Sequence, residues 1–226
     1  MAREMFEPIY REIFPFWDVC SEKDKDDICQ NSRALSYPRG TQIHNGEDCS
    51  GVILVRTGCL RVYMMSEQGK DITLYRLYPG DLCMLSASCV LQAITFDVFV
   101  DAEEDSECYV ISGSAFSMVS ERNAQIKIFS LQTALSRFSD VMWVMQQILF
   151  MSADRRLAIF LTDELAKTGG TDLRMTHDQM AKYMGSAREV VSRMLKYFAQ
   201  EGWVRLYRGG VQVLDKQKLQ ALARGE

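Results

Sequence analysis

The 23 residues Thr176–Phe198, THDQMAKYMGSAREVVSRMLKYF, decide how the chain is read. Thr176 suits a helix N-cap, and Gln179 three positions on completes a capping box with it. Gly185 falls where two short helices must turn sharply, and Ala181 is small enough to let them approach closely. The pattern predicts a helix-turn-helix. In its second helix Val191, Met194, Leu195 and Phe198 share one face, while Arg188, Glu189, Ser192 and Arg193 share another that is free to enter a groove. Arginine offers two donors to guanine O6 and N7, glutamate accepts from cytosine N4, and serine reaches bases or phosphates. Lys196 is read as a phosphate contact, and Thr176 completes the DNA-facing set.

Reading outward from this motif strengthens it. Downstream, Trp203–Tyr207 and Val211–Leu214 flank Arg208-Gly209-Gly210 as two short strands around a glycine turn, the wing of a winged helix. Residues 152–226 carry 13 basic and 9 acidic side chains, whereas residues 1–151 carry 13 and 21, so a formal charge of -4 is split by region. A helical hairpin with a merely solvated charged face is the plainer account of the motif. The wing and the local basic excess favour DNA over it.

Upstream, residues 123–151 contain no Gly or Pro, and Ala124, Ile128, Leu131, Leu135, Phe138, Met142, Met145 and Leu149 recur in alternating steps of four and three. That is a heptad seam over four repeats, on a helix spanning roughly 43 Å. Phe129, Val141, Trp143 and Ile148 lie off it and suit a helix resting on its own domain's core. The length and regularity of the seam favour a second copy of the chain. Ser152-Ala153-Asp154 then starts a separate helix that ends at Gly169-Gly170.

From Ala34 to Ile111 the chain alternates between β-rich runs and turn residues. GVILV begins at Gly51, LRVYM at Leu60, DITLYRLY at Asp71, FDVFV at Phe96 and CYVIS at Cys108, with Tyr37-Pro38-Arg39-Gly40 and Tyr78-Pro79-Gly80-Asp81 as turns. This spacing indicates a sandwich or barrel. A short helical segment precedes it.

At 226 residues, 47% hydrophobic and 25% charged, the chain can bury two ordinary cores. No run reaches the roughly 18 apolar residues of a membrane span, and the N-terminus carries acids where a signal peptide has an apolar core, so no membrane and a cytoplasmic location are expected. Seven cysteines there point to thiols, mostly buried, rather than to a disulfide framework. An enzyme is not expected. A cupin-like metal site needs clustered His and carboxylate ligands, and His44 and His177 are the chain's two histidines. Phosphate-binding and nucleophile-turn motifs are absent as well.

Sensor barrel, long helix and winged helix in this order resemble the Crp/Fnr superfamily of bacterial transcription regulators over nearly the whole chain. Arg188, Glu189, Val191 and Arg193 match the R-E-x-V-x-R pattern of the cyclic-AMP receptor branch. Glu189, Ser192 and Arg193 match the E-x-x-S-R pattern of the fumarate and nitrate reductase regulator branch. The resemblance implies an α+β fold with an N-terminal double-stranded β-helix (jelly-roll) sensor barrel at 1–122, a dimerisation helix at 123–151 and a winged-helix DNA-binding domain at 152–226. It implies that Glu189 and Arg193 read the G·C pair of a TGA-type half-site, with Arg188 or Ser192 tuning neighbouring positions, and that RNA polymerase is a partner. Ala187, where a capping Ser or Thr is usual, and Val190, for a common Thr, depart from the pattern and bear on the half-site.

The effector is less legible. Met84 and Leu85 stand where the cyclic-nucleotide branch has Gly-Glu, and Phe96 and Asp97 where it has Arg-Ser, so cyclic AMP is not expected. The candidate pocket comprises Leu82, Cys83, Ser86, Ser88 and Cys89. Its Ser-Ala-Ser-Cys resembles a branch that names no ligand. Cys20 and Cys29 are spaced poorly for an iron-sulfur cluster, which is likewise not expected. Haem stays open, although His44 in its turn-like context is read as a solvated loop residue. A thiol switch stays open too, with inert buried thiols preferred. The expectation is a homodimeric, sequence-specific DNA-binding regulator gated by a small molecule or redox signal. The alternative is an effector-binding oligomeric scaffold whose winged helix binds protein.

Overall fold

A computed structural model of the chain describes residues 2–46, 49–84 and 97–226. The chain divides into two compact units, one of Met1–Gln68 with Leu74–Val141 and one of Gly69–Thr73 with Met142–Glu226.

The first unit begins with α1 (Ala2–Ile13), a 3-10 turn at Trp17–Val19 and α2 (Glu22–Gln30). Ser21 caps α2 by accepting from the Asp24 N–H, and Glu22 and Asp24 place negative charge at its positive end. Two four-stranded sheets follow. One runs β1 (Ser32–Tyr37), β8 (Ser106–Ile111), β3 (Val52–Thr57), β6 (Leu82–Cys83), and the other β2 (Gln42–His44), β7 (Phe99–Ala102), β4 (Leu60–Met65), β5 (Asp71–Leu77). The registers include Ile53 opposite Val110 and Val62 opposite Val100, both antiparallel. Val52–Val55 are all buried, which accounts for the unbroken apolar run of β3. Gly58 has a positive φ, and a Cβ there would collide with Ser106, so the tight β3–β4 turn admits glycine.

Aromatic rings close this core at its helical end. Tyr10, Phe14, Phe16 and Trp17 pack with Phe116 and Phe129, and Tyr10 donates to Ser32 Oγ, which in turn donates to the Ile28 carbonyl. Phe116 belongs to α3 (Gly113–Arg122) and Phe129 to α4 (Ala124–Phe150).

Helix α4 has two faces. Ile126 and Ser130 are buried, and Phe129, Ala134 and Val141 pack on the barrel core. All eight predicted seam residues are exposed in the single chain, the seven large ones to between 46% and 65%. Ser130, Thr133 and Ser139 donate to carbonyls one turn back, which satisfies their hydroxyls within the helix.

The second unit contains α5 (Ala153–Thr168), β9 (Asp172–Leu173), α6 (His177–Met184), α7 (Arg188–Gln200), β10 (Val204–Tyr207), β11 (Gly210–Val213) and α8 (Lys216–Arg224). Its sheet has the order β10, β11, β9. Leu157, Leu161, Met180, Val191, Leu195, Phe198 and Val211 form its own core.

The structure departs from the sequence reading at several points. Strand β1, helix α3 and the short strands β2 and β6 were not individually expected; β1 exposes four consecutive residues and so lacks an alternating signature. His44 is not a solvated loop residue: it ends β2, is 4% exposed and shares a 2.9 Å hydrogen bond between Nδ1 and Ser50 Oγ. Cys49 is disulfide-bonded rather than a thiol. Cys20, Cys29, Cys59, Cys83 and Cys108 are buried thiols, as expected of small hydrophobic cysteines.

Because Phe14 sits among five rings at 1% exposure, Phe14→Ala should destabilise the protein by about 3–5 kcal/mol in denaturant titrations.

Candidate nucleic-acid interface

Helix α6 is fixed at both ends. Thr176 Oγ1 accepts from the Gln179 N–H while Gln179 Oε1 accepts from the Thr176 N–H, the reciprocal capping box. At the other end Gly185 adopts a left-handed conformation at φ +58, and its N–H bonds back to Ala181 and Lys182 carbonyls. A Cβ there would stand 2.9 Å from Ile148 Cδ1, so both backbone and space require glycine. Arg156 of α5 donates from Nη1 to the Met184 carbonyl at 3.0 Å, satisfying a group at the end of the helix. That contact, 28 residues apart, has no local sequence signal.

Helix α7 is anchored by Val191, Leu195 and Phe198, each fully buried. Its opposite side forms an open concave surface of about 530 Å³ lined by Arg188, Glu189, Ser192, Arg193, Lys196, Tyr197 and Gln200. The five predicted readers on this helix are therefore brought together: Arg188, Glu189, Arg193 and Lys196 are exposed and Ser192 is half-buried. Thr176 is exposed at the start of α6, where its side chain is engaged in the capping box. Tyr197 and Gln200 extend the surface one turn beyond the predicted set; their position on the Arg193 and Lys196 stripe was available from helical spacing.

Two polar contacts order this surface. Arg188 pairs with Asp178 of α6 at 3.3 Å, but both side chains are more than half exposed, so the pair is weak. His177 Nδ1 lies 2.7 Å from Ser192 Oγ. Burial, with the positive charges of Arg188 and Lys196, holds His177 below its usual value, opposed by Asp178, and leaves the ring neutral near pH 7. Ala187 provides no side-chain cap to α7. The wing is a hairpin with Tyr207 opposite Gly210 and a positive φ at Gly209. A Cβ at Gly210 would strike the Tyr207 ring and the Leu173 carbonyl.

The predicted effector residues are only partly described. Leu82 and Cys83 are buried in β6; Ser86, Ser88 and Cys89 lie outside the described residues, as do Leu85 and Phe96. Met84 is fully buried and Asp97 is exposed. Burial pushes the Cys20 and Cys29 thiols up to about 11 and those of Cys59 and Cys108 to about 12, so these four are protonated and poor nucleophiles at neutral pH. Among the described residues no group of three or more His, Cys, Asp or Glu side chains could hold a metal ion, and no helix is long and apolar enough to cross a membrane.

A sensor β-barrel, a long helix and a winged helix with an outward cationic face define a DNA-binding transcription regulator. Comparison with known proteins agrees. Residues 155–222 match the Crp-like helix-turn-helix domain and residues 35–123 the cyclic nucleotide-binding domain. A Crp/Fnr-family protein of known structure from Eubacterium rectale is 40% identical, covers 94% of this chain and 99% of its own, and superposes with a TM-score of 0.90. The transcriptional activator protein Anr of Pseudomonas aeruginosa is 27% identical over 210 residues, 89% of this chain and 84% of Anr. The cyclic AMP receptor protein of Thermus thermophilus is 27% identical over 190 residues, 84% of this chain and 87% of that protein. The chain belongs to the Crp/Fnr family, and its relatives are transcription regulators rather than enzymes.

Removing the cap hydroxyl with Thr176→Ala should cost about 1 kcal/mol, read as a lower denaturation midpoint at unchanged slope.

Proposed function

We propose that the chain acts as a cytoplasmic homodimer that binds a palindrome of TGA-type half-sites and is gated by a small molecule or redox signal in its N-terminal barrel. The observation that carries this reading is the outward face of α7, where Arg188, Glu189, Ser192, Arg193 and Lys196 line one open surface while Val191, Leu195 and Phe198 anchor the helix from behind. Glu189 and Arg193 are assigned to one G·C pair by cytosine N4 and guanine O6 and N7, Arg188 and Ser192 to neighbouring positions, and Lys196 to phosphate. Thr176, exposed at the start of α6 with its polar groups held in the capping box, is assigned to the DNA-facing set by its position.

The exposed stripe of α4 from Ala124 to Leu149 is assigned to a second copy of the chain. Its steps of four and three suit a left-handed pair of helices, and seven large apolar side chains in one line are more than a monomer's surface usually carries. A change in how this seam packs would alter the spacing of two recognition helices, which must match half-sites about 10–10.5 base pairs apart. RNA polymerase is the expected partner of the bound dimer. For the signal, the raised thiols of four buried cysteines weigh against them as direct redox sensors. The buried Met84, in the place of the family's nucleotide-binding Gly, weighs against cyclic AMP.

Selection of binding sites from random DNA, repeated after oxidation and with a small-molecule cell extract, tests the reading. Two TGA-type half-sites in a palindrome are expected; no enrichment under any condition would favour a scaffold whose winged helix binds protein. Arg193→Ala should lose about 1–3 kcal/mol on the selected site and relax specificity at one guanine, whereas Lys196→Ala should weaken all sequences alike and lower the salt slope by about one. Equal losses on cognate and scrambled DNA for both variants would contradict these assignments. Leu135→Lys, at 65% exposure in the single chain, should give monomers in sedimentation; an unchanged dimer would remove the seam.

A further inference from the structure

Ser192 stands on the DNA-facing surface of α7, yet its hydroxyl is already bonded to His177 at the first turn of α6, with Oγ and Nδ1 2.7 Å apart. A serine hydroxyl has one hydrogen, so the direction of this bond decides what remains for a ligand. When the neutral ring carries its proton on Nε2, Nδ1 accepts the Ser192 hydrogen and the serine presents only lone pairs outward. When the ring is protonated, Nδ1–H donates to Oγ and the serine hydrogen is released to point outward.

We propose that His177 is a positioning residue for DNA recognition, setting whether Ser192 offers the major groove an acceptor or a donor, and that protonation of the ring exchanges the two. The inference rests on the DNA-binding reading above. With a neutral ring, Ser192 suits a base edge that supplies an amino hydrogen, adenine N6 or cytosine N4; with a protonated ring it suits guanine O6 or N7, thymine O4 or a phosphate oxygen. The charged groups facing the ring are Arg188 and Lys196 on α7 and Asp178 on α6. In the free protein the two cations oppose protonation. DNA phosphates, one of them engaging Lys196, offset this opposition and add attraction, so the complex takes up a proton more readily than the free protein. Binding and protonation are then linked, and affinity rises as pH falls. The response is assignable, because the chain's other histidine, His44, lies in the first unit, where it is bonded to Ser50.

The test measures full-length wild type, His177→Gln, Ser192→Ala and His44→Gln at pH 7.5 and 5.5, on the selected operator and on versions with each base at the position opposite Ser192. A one-unit rise in the His177 pKa on binding is worth at most tenfold, reached only once the free ring is fully protonated, so with its lowered free value wild type should bind about three- to sixfold tighter at the lower pH. Its preferred base at that position should also move from an amino-bearing to an acceptor edge by about fivefold, the worth of one hydrogen bond. Ser192→Ala should keep a pH-dependent affinity but show no change of base preference, His177→Gln should be flat in both, and His44→Gln should behave as wild type. Long-range nitrogen–proton NMR of the His177 ring gives the tautomer directly, with Nε2–H expected at pH 7.5. A wild-type profile in His177→Gln, a base preference that ignores pH in wild type, or an Nδ1–H tautomer at pH 7.5 would each overturn the proposal while leaving sequence-specific binding intact. Absence of specific binding by wild type at both pH values would overturn the DNA reading itself and this inference with it.

Discussion

The rotation of α7 about its own axis is the constraint on which the recognition surface depends. Successive residues of a helix are about 100° apart, so a helix that settled one residue out of place would turn Arg193 or Glu189 toward the core. Val191, Leu195 and Phe198, each at 0% exposure, hold the rotation, and the left-handed Gly185 together with the Arg156 contact to the Met184 carbonyl holds the preceding helix against which α7 packs. Polar side chains on the outer face contribute little to this anchoring. Their identity is therefore little constrained by folding, and the exposed Arg188–Asp178 pair holds them only loosely.

The structural unit that carries the site was legible because its information is local. A capping box four residues long, a glycine at an obligatory positive φ and a period of 3.6 in apolar residues are all readable within one turn or two. The same period separated the faces of α4, where Ile126 and Ser130 are buried and the predicted stripe is exposed. What could not be read lies in contacts between residues far apart in sequence. His177 and Ser192 are 15 residues apart, Arg156 and Met184 are 28, and neither pair has a local pattern to announce it. His44 reads as a turn residue because Asn45-Gly46 follows it, but the turn begins only after a strand has carried the ring into the barrel. Strand β1 was missed because its neighbour β8 supplies the pairing while four of its own six residues face solvent.

The barrel separates scaffold from signal. Its two four-stranded sheets and aromatic cap are accounted for by apolar runs, glycine turns and stacked rings. None of these names a ligand. Buried thiols driven upward in pKa are poor nucleophiles, and Met84 is packed inside the core. Relatives called a transcriptional activator and a cyclic AMP receptor differ in what their names say they do, and they share the frame rather than the message.

Helix α4 is 27 residues without a glycine or proline, and the hydroxyls of Ser130, Thr133 and Ser139 are bonded back into its own backbone. It therefore lacks the glycine and proline at which sharp kinks usually arise. Phe129, Ala134 and Val141 grip one side of it, while Leu131, Leu135 and Phe138 project from the other at fixed angular offsets. Within the first unit, any rotation of α4 that repacks Phe129, Ala134 and Val141 therefore turns Leu131, Leu135 and Phe138 through the same angle.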